Sequence, residues 1–405
     1  MAGMVVRRAV SAALLALAVA AASAEEPPMK TPEYVVASYY FPNYHPDARN
    51  AKTRGEGWTE WELVKNARPR FDGHRQPNVP LWGYTDESDP AVMATKIDAA
   101  ADHGVDAFIF DWYWFDDGPF LERGVEQGFM RAPNAERLRF GLMWANHDWI
   151  DIHPATLKHP PALLYPGTVK PETFEKMTDY IIEKYFRHPS YWRIEDCPYF
   201  SVYELHTLIQ SFGSSEATRA ALQRFREKTR AAGFPDLHLN AVLFGVRILP
   251  NETAVANPEQ LTTYLGFDSI TSYVWVHHVA LPEFPQTPYR YVMEKAIAHW
   301  RETVDRFSIP YHPNVTMGWD SSPRCAADDP FENRGYPFMA GMSGNTPEAF
   351  REALEAARRF LDSRPENQRV LTINCWNEWT EGSYLEPDTV HGMAYIEAVK
   401  AVFGP

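Results

Sequence analysis

The sequence predicts an α/β protein with a single (β/α)8 barrel, in which parallel strands alternate with helices around a closed ring. Two observations predict this fold. Short β-rich segments alternate strictly with amphipathic helical segments along the chain, and several β-rich segments are continuously apolar, which is typical of buried parallel strands. An open doubly wound sheet is the alternative, but no glycine-rich phosphate loop follows the first strand.

The predicted strands are short runs that contain many β-branched and aromatic residues. The long connection at 41–89 is dense in aromatic residues, so we interpret it as a folded loop rather than a boundary between domains. In chain order the strands are Val35–Tyr40, Val105–Trp112, Arg139–Ala145, Pro198–Tyr203, Leu237–Phe244, Asp268–Val274, Pro313–Gly318 and Val370–Trp376.

The predicted helices fall between these strands. The helix at Pro90–His103 has the clearest signals, because Asp89 can cap it, Pro90 fits its first turn and Gly104 ends it. The others are Pro119–Arg131, Pro171–Arg187, Ser215–Ala232, Pro258–Leu265, Pro288–Phe307, Pro347–Leu361 and Gly392–Val402.

The first 24 residues have the composition of a signal peptide. Arg7 and Arg8 precede the apolar run Ala9–Ala22, and a small-residue cleavage site ends at Ala24. The run is too short to span a bilayer comfortably, although an uncleaved membrane anchor is the alternative. We therefore expect a secreted or periplasmic protein whose mature domain is 25–405, with no membrane span after cleavage.

Composition excludes several classes of function. The net charge of −14 predicts a surface that repels nucleic acid and anionic membranes. The three cysteines allow at most one disulfide, and we expect Cys197 and Cys375 to be small buried hydrophobic residues. No group of histidines or cysteines has the spacing of metal ligands, so we expect no metal and no cofactor. A monomer is expected.

Aromatic residues gather where the predicted strands end. Of the 13 tryptophans, all but Trp82, Trp192 and Trp300 lie on these strand ends or the loops that follow them. Barrel enzymes place their chemistry there, and a sugar ring stacks its apolar face on indole while its hydroxyls bond to polar side chains. The alternative is that the aromatic residues only close the top of the core. The predicted sugar-binding residues are Tyr40, His45, Trp58, Trp61, His74, Asp111, Trp114, Asn146, Tyr203, Trp319, Asp320 and Asn377.

Two glutamates follow the last predicted strand. Glu378 and Glu381 are three residues apart, a spacing that brings both to one face of a helical turn, and Trp376 and Trp379 flank them. Two carboxylates around one ligand can have pKa values that are pushed apart, which glycoside hydrolysis requires. The alternative is that the two glutamates are exposed to solvent on the protein surface and have no catalytic role. For Asp111 and Asp320, a structural hydrogen-bonding role is the alternative to sugar binding.

Seven segments together resemble the glycoside hydrolase family 99-like (WbsX-like) proteins, relatives of the family 99 endo-α-mannosidases and mannanases. They are "YYFPNYHP", "GWTEW", "FDGHRQP", "DWYWFDDG", "MWANHDW", "GWDSSPR" and "WNEWTEGSYLEPD", and the resemblance runs from about Val35 to Val402. It implies a (β/α)8 barrel, secreted or periplasmic, that acts on glycans without a metal.

The resemblance also implies roles for the two glutamates. Glu381 would be the general acid/base, and Glu378 would be the base that assists attack by the substrate's own 2-hydroxyl group. The residues alone would make Glu378 a nucleophile, so both roles stay open. The upstream loops differ from those of the mannan-cleaving enzymes, and specificity for mannose therefore does not follow.

The resulting prediction is a secreted glycoside hydrolase that cleaves an α-linked oligosaccharide or polysaccharide with retention, using Glu378 and Glu381. One alternative is a non-catalytic glycan-binding barrel. The other is a glycosyltransferase of polysaccharide biosynthesis, although a secreted chain lacks access to cytosolic nucleotide sugars and the sequence has no phosphate-binding glycine-rich loop.

Overall fold

A computed structural model describes residues 33–404, which fall within one compact unit. The predicted signal peptide lies outside the described residues, so it stays a prediction. Eight strands form the barrel, and the seventh is divided into two segments. The strands are β1 (Val35–Tyr40), β2 (Ala107–Phe115), β3 (Arg139–Trp144), β4 (Cys197–Val202), β5 (His238–Val242), β6 (Ser269–Thr271), β7 (Tyr311–His312 and Asn314–Thr316) and β8 (Val370–Asn374).

The sheet closes on itself, and every neighbouring pair around the ring is parallel. The two segments of β7 complete the ring, because the first pairs with β6 and the second with β8. Pro313 separates these segments, and it has no backbone N–H to donate to a neighbouring strand. Finally, β8 pairs with β1, where Val370 lies opposite Val35. The predicted barrel is confirmed.

Ten α-helices occur in residues 33–404, and none of the helices of this part of the chain is long and apolar enough to cross a membrane. Asp89 caps α3 and Ser214 caps α6 through side-chain hydrogen bonds to the first turn, as local signals predict for α3. The helices are α1 (Ala48–Arg54), α2 (Trp61–Asn66), α3 (Pro90–Asp102), α4 (Pro171–Ile181), α5 (Leu205–Phe212), α6 (Ser215–Ala231), α7 (Pro258–Leu265), α8 (Tyr289–Arg306), α9 (Pro347–Asp362) and α10 (Ala394–Phe403).

The helix predicted at Pro119–Arg131 is correct only in its second half, from residue 123 onward, and it is not an α-helix. This segment contains a π-helical turn, Gly124–Gly128, followed by a 3-10 turn, Phe129–Arg131. A Cβ atom on Gly128 would lie 2.1 Å from the carbonyl oxygen of Glu87, so the backbone packs directly on the loop at 41–89. Glycine has a poor α-helix propensity, and this close approach is satisfied by an irregular turn instead.

The cysteines are free. Cys375 is buried, as expected, and so is Cys325, but Cys197 is only half-buried because it begins β4 at the edge of the barrel.

Two histidines lie inside the lower part of the barrel, on the strands that flank β6. The rings of His238, which begins β5, and His312, in β7, are nearly parallel with centroids 6.3 Å apart. The Nε2 atom of His238 lies 2.8 Å from the Ser269 hydroxyl oxygen. Burial lowers the pKa of His312 to about 3 and the pKa of His238 to about 4. Both rings are therefore neutral in the folded protein at neutral pH.

We expect these two rings to make the protein less stable in acid. An unfolded histidine binds its proton near pH 6.5, so below that pH the unfolded chain binds more protons than the folded one. The stability that the two neutral rings contribute is fully present above pH 6.5. It is lost as the pH falls from 6.5 toward the pKa values of the two histidines in the folded protein, by an amount on the order of several kcal/mol. Urea denaturation at about pH 7 and about pH 4.5 measures the loss. The difference between the two pH values should be smaller in His312→Asn; an unchanged difference would contradict the assignment.

Candidate active site

A cavity opens at the carboxyl ends of the barrel strands, and we call it the main cavity. Its empty volume is about 660 Å³ when the space open to solvent is included, which suits a small polar ligand. Aromatic and acidic side chains share its wall. It is lined by Phe41, Asp111, Tyr113, Met143, Ala145, His147, Asp148, Trp149, Ile150, Ile152, His153, Tyr203, Ile248, Leu249, Tyr273, Val274, His277, Trp319, Arg324, Glu378 and Glu381.

The segment after β8 brings both glutamates into this cavity. Asn377–Glu378 pairs antiparallel with Ser383–Tyr384, and the 3-10 turn Trp379–Glu381 joins the two short strands. Gly382 follows with φ of +63°, and a Cβ atom there would lie 2.8 Å from Cβ of Asp320, so the tight return requires glycine. The expected helical turn is thus a single 3-10 turn. Glu378 is 2% exposed and Glu381 is 7% exposed, so they are not a solvated surface pair.

One arginine contacts both glutamates. Arg324 ends a 3-10 turn, Ser322–Arg324, in the loop after β7, and its side chain is buried. Its Nη2 atom donates to Oε1 of Glu378 at 2.7 Å, and its Nη1 atom donates to Oε1 of Glu381 at 2.7 Å. Nη2 also donates to Oε1 of Glu60 at 2.9 Å. Three carboxylates therefore lie within the span of a single guanidinium group.

Hydroxyl and amide donors complete the cluster around Arg324. The Tyr336 hydroxyl donates to Oε1 of Glu381 at 2.5 Å. The Thr380 hydroxyl donates to Oε1 of Glu60 at 2.5 Å, and the Asn43 amide donates to Oε2 of the same carboxylate at 2.6 Å. Glu60 thus has more polar partners than either of the other two glutamates, which keep oxygen atoms free for a ligand.

The three carboxylates differ in their affinity for protons. Burial raises the pKa of Glu378 well above its ordinary value, and neighbouring carboxylates add to this effect against the opposing charge of Arg324. Burial also raises the pKa of Glu381, again against Arg324. For Glu60 burial acts in the same direction, but Arg324, His153 and hydrogen bonds outweigh it, and its pKa is lowered. Glu60 is therefore the ionised partner of the arginine, and the other pair can hold a proton near neutral pH.

Asp111 lies in β2 and faces the same cavity. Its Oδ2 atom accepts a hydrogen bond from the Tyr273 hydroxyl at 2.8 Å. Its Oδ1 atom is buried and has no hydrogen-bond partner among residues 33–404. Burial raises the pKa of this carboxyl well above its ordinary range. A buried polar atom without a partner is uncommon, and here it faces a cavity that a ligand can enter.

Of the predicted sugar-binding residues, Asp111, Tyr203 and Trp319 line the main cavity together with the two glutamates. Tyr203 donates its hydroxyl hydrogen bond to Oε1 of Glu252 at 2.5 Å.

His74 and Asp320 do not line the main cavity. Nε2 of His74 lies 2.8 Å from Oδ2 of Asp320, and the pair lines a neighbouring cavity. This neighbouring cavity shares Trp319 with the main cavity.

The other predicted residues lie outside the main cavity. Their side chains instead make contacts that hold the surrounding loops together. Tyr40 and His45 both bond to the buried carboxylate of Glu87, at 2.9 and 3.2 Å. The Asn377 side chain bonds to the backbone N–H and carbonyl of Phe41, and that of Asn146 bonds to the backbone of Glu204. The remaining three are tryptophans that pack on other rings: Trp61 against Tyr44, Trp114 against Trp112 and Trp58 against the edge of His153.

A buried anchor holds the tryptophans that flank Glu378. The indole N–H groups of Trp376 and Trp379 donate to the two carboxylate oxygens of Glu386, at 3.0 and 2.7 Å. Lys96, from α3, lies 2.6 Å from the same carboxylate, and both charges are buried. The two tryptophans therefore fix the loop that carries the acids, in addition to excluding water from it.

Sequence reasoning did not select Arg324, Glu60 or Tyr336. The first two lie in segments that carry the family resemblance, "GWDSSPR" and "GWTEW". A signal for the arginine was available, because a cluster of buried acids requires a buried positive charge. Within residues 33–404, no group of three or more His, Cys, Asp or Glu residues is arranged to hold a metal ion.

Comparison with known proteins agrees with this fold. The model of a family described as "Glycosyltransferase WbsX" matches residues 36–399. Two curated relatives, each described as "Uncharacterized protein WxcX" from strains of Xanthomonas campestris pv. campestris, are 28% identical over 379 and 384 residues. The match covers 92% of this chain but 50% of each relative, so the chain spans about half their length.

Two solved structures share the barrel. The GH99 endo-alpha-mannosidase from Bacteroides thetaiotaomicron superposes with a TM-score of 0.54 at 13% identity, over 91% of this chain and 96% of that one. A glycoside hydrolase-like protein superposes with a TM-score of 0.59 at 14% identity, over 93% of this chain and 95% of the other. At these identities the likeness shows the fold.

Proposed function

The chain belongs to the family described as glycosyltransferase WbsX, and from its main cavity we propose that it is a retaining glycoside hydrolase that acts on α-linked glycans. One observation supports this most directly: two buried carboxyl groups share one guanidinium at the base of an aromatic-walled cavity. Burial raises the pKa values of both, so the pair can hold a proton near neutral pH while Arg324 favours the ionised form of each, and glycoside hydrolysis needs one protonated and one ionised carboxyl group.

The proposed steps follow from the positions of the two acids. Glu381 donates its proton to the glycosidic oxygen as the bond between that oxygen and the anomeric carbon breaks. On the same sugar, Glu378 either attacks the anomeric carbon or takes the proton of the 2-hydroxyl group, whose oxygen then attacks. Water then attacks the anomeric carbon of the intermediate, and Glu381, now ionised, takes the proton from that water. In the first route this breaks the ester bond and frees the Glu378 carboxylate, and in the second it breaks the bond from the anomeric carbon to the 2-oxygen, which takes its proton back from Glu378. Both routes retain the anomeric configuration.

A substrate without its 2-hydroxyl group separates the two routes. If Glu378 assists the 2-hydroxyl, a 2-deoxy glycoside leaves the enzyme no internal nucleophile and is not hydrolysed. If Glu378 is itself the nucleophile, the 2-deoxy glycoside remains a substrate and forms a glycosyl ester on Glu378, which mass spectrometry detects.

The family description makes glycosyl transfer the second candidate. A sugar nucleotide would bring a diphosphate into a cavity lined by the acids Asp111, Asp148, Glu378 and Glu381, with Arg324 already bonded to three carboxylates. Arg324 is the only lysine or arginine among the described residues that line this cavity, so no free positive charge is available there to hold a diphosphate. This arrangement supports hydrolysis over transfer.

The test is a screen of the purified protein against plant, algal and bacterial polysaccharides, with sugar nucleotides plus magnesium or manganese in a parallel arm. Release of oligosaccharides whose new reducing ends keep the α configuration by NMR is the expected result. Turnover of a sugar nucleotide, or full biological activity in Glu381→Gln, would instead support the transferase or the non-catalytic glycan-binding protein. We also propose export of the chain, which N-terminal sequencing of the mature protein checks.

Tyr336→Phe is expected to shift the pH dependence of the reaction. The Tyr336 hydroxyl bonds to Glu381 and, against the larger effect of burial, lowers the pKa of that carboxyl. Without the hydroxyl the Glu381 pKa rises, so the acid stays protonated to higher pH. The alkaline limb of the plot of kcat/KM against pH should then move to higher pH by about one pH unit. A shift of this size corresponds to the free energy of one hydrogen bond to a charged group. The exposed Tyr291→Phe is the control; a limb that does not move would argue against Glu381 as the acid.

A further inference from the structure

A second cavity lies on the other side of Trp319, and we call it the side cavity. It is formed by the loops after β1, β6, β7 and β8, together with the start of α10, and its empty volume is about 970 Å³ with the space open to solvent included. Trp319 lines both cavities and is 2% exposed. The indole Nε1 atom of Trp319 is buried without a hydrogen-bond partner among residues 33–404. The two cavities therefore meet at Trp319.

The wall of the side cavity contains a carboxylate with spare hydrogen-bonding capacity. Oδ2 of Asp320 accepts from Nε2 of His74 at 2.8 Å and from the Gln76 amide at 2.7 Å, and Oδ1 accepts from the backbone N–H of Ser322 at 3.0 Å. Nδ1 of His74 accepts a bond from the backbone N–H of Arg70, so the ring proton is on Nε2. A carboxylate can accept about four hydrogen bonds, so Asp320, whose side chain is 20% exposed, can accept another from a ligand.

Apart from Arg75, whose Nη2 atom lies 3.6 Å from the carboxylate of Asp388, the rest of the wall is mainly neutral and amphipathic. Ser343 and Asn345 supply hydroxyl and amide groups, and the rings of Trp319 and Tyr384 supply apolar surface. Hydroxyl donors for a carboxylate, together with apolar C–H faces for aromatic rings, are the two properties that an uncharged sugar combines.

The side cavity is also joined to the catalytic loop. The backbone N–H of Asp320 donates to the carbonyl oxygen of Glu381 at 2.6 Å. A ligand held by Asp320 thus sits one backbone hydrogen bond away from the residue proposed as the acid.

We propose that the side cavity binds a second, uncharged sugar of the same glycan whose scissile sugar occupies the main cavity. The protein then requires an oligosaccharide or polysaccharide and holds it on both sides of Trp319. The class of ligand rests on the proposed function, whereas the cavity and its carboxylate do not.

Two variants test the side cavity, each in the full chain with Glu381→Gln so that no ligand is cleaved. Ser343→Trp fills the cavity, and Asp320→Asn removes its charge and keeps its shape. The matched control is Ser363→Trp, at an exposed serine after α9. The probe is a glycan array that carries linear α- and β-linked glucan, mannan and galactan ladders of one sugar to about eight. Thermal unfolding confirms that each variant is folded.

Binding of the Glu381→Gln protein should rise with chain length. Ser343→Trp and Asp320→Asn should each lower binding of the longer chains by about tenfold or more and leave the shortest ligands unchanged, since about 1.4 kcal/mol corresponds to tenfold. The proposal is overturned if no ladder is bound, if length has no effect, or if both variants bind every length as the control does.

The outcome separates this proposal from the proposed function. If the unmutated protein hydrolyses no glycan but the array shows length-dependent binding that Ser343→Trp removes, the sugar site in the side cavity is supported and the proposed hydrolysis is contradicted. If long and short substrates are hydrolysed with equal kcat/KM by both the unmutated protein and Ser343→Trp, hydrolysis stands and the side cavity falls.

Discussion

Replacing Glu381 by glutamine is expected to lower kcat for glycan hydrolysis by about 10²–10⁴-fold while leaving glycan binding intact. Glutamine keeps the shape and can still accept hydrogen bonds from Arg324 and Tyr336, which hold the carboxylate now. It cannot donate a proton to the glycosidic oxygen. The loss should therefore appear in kcat, with little change in the dissociation constant measured by calorimetry.

The leaving group of the substrate makes this prediction specific. In a glycosyl fluoride the leaving group is fluoride ion, which departs without protonation. Glu381→Gln should therefore recover most of the rate of the first step on a glycosyl fluoride, whereas Glu378→Gln should stay inactive on both the glycan and the fluoride. Glu366→Gln, at an exposed glutamate in the 3-10 turn before β8, is the control for the change of side chain. Equal losses on natural and fluoride substrates in Glu381→Gln would show that this residue is not the acid.

Removing Arg324 is expected to cause the largest loss of stability, about 3–5 kcal/mol in the free energy of unfolding at neutral pH. Arg324→Met keeps much of the side-chain volume but leaves Glu60, Glu378 and Glu381 buried without their shared positive charge. A buried charge without a partner costs far more than the net gain from a paired one. Activity should be lost as well, because the two acids no longer have a fixed separation.

The pH dependence of this loss identifies its cause. Without the arginine, the pKa values of the buried carboxyls rise further, so the folded variant binds more protons than the unfolded chain. Stability of the variant should then fall as pH rises above about 4.5, the ordinary glutamate value, toward neutral pH. Urea denaturation at about pH 5 and about pH 8 measures the difference from wild type. A loss that is the same at both pH values would mean that lost packing, not charge, is responsible.

Two further variants complete the test. Arg334→Met removes an exposed arginine that pairs only with Glu332 in the ion pairs of residues 33–404, and it should change stability by less than about 1 kcal/mol. Adding Glu60→Gln to Arg324→Met should restore part of the lost stability, because Glu60 is the carboxylate that is ionised beside the arginine.

The barrel could be predicted from the sequence because its strands carry a local signal. Largely apolar runs such as Ala107–Phe115, in which Asp111 is the one charged residue, are buried on both faces, and each is followed by a segment with its own turn and cap residues. The prediction of an α-helix failed at Pro119–Arg131, where the reason is a contact between Gly128 and the backbone of Glu87 that no local pattern contains. Helix α5 was missed because it is a short element that follows β4 almost directly.

The candidate site could be predicted only in part, because local sequence patterns do not contain contacts between residues that are distant in the chain. Glu378 and Glu381 lie together in the chain directly after an apolar strand, so their pairing is visible in the sequence. Arg324 lies 54 residues before Glu378 and 264 residues after Glu60, and its role arises only when the barrel closes. Likewise, the sequence placed His74 and Trp319 at one end of the barrel, but only the fold shows two cavities there that share Trp319 in their walls.

The buried carboxylate of Glu386 holds the segment that carries Glu378 and Glu381 in place through Trp376 and Trp379. It bonds to Trp376, Trp379 and Lys96, whereas Trp149 and Leu249, which also line the main cavity, come from other loops. The two proposed acids and much of the cavity wall are thus built on separate parts of the chain. Under the proposed function, designed variants can exchange the other loops to suit a different glycan while keeping the segment that carries Glu378 and Glu381 unchanged.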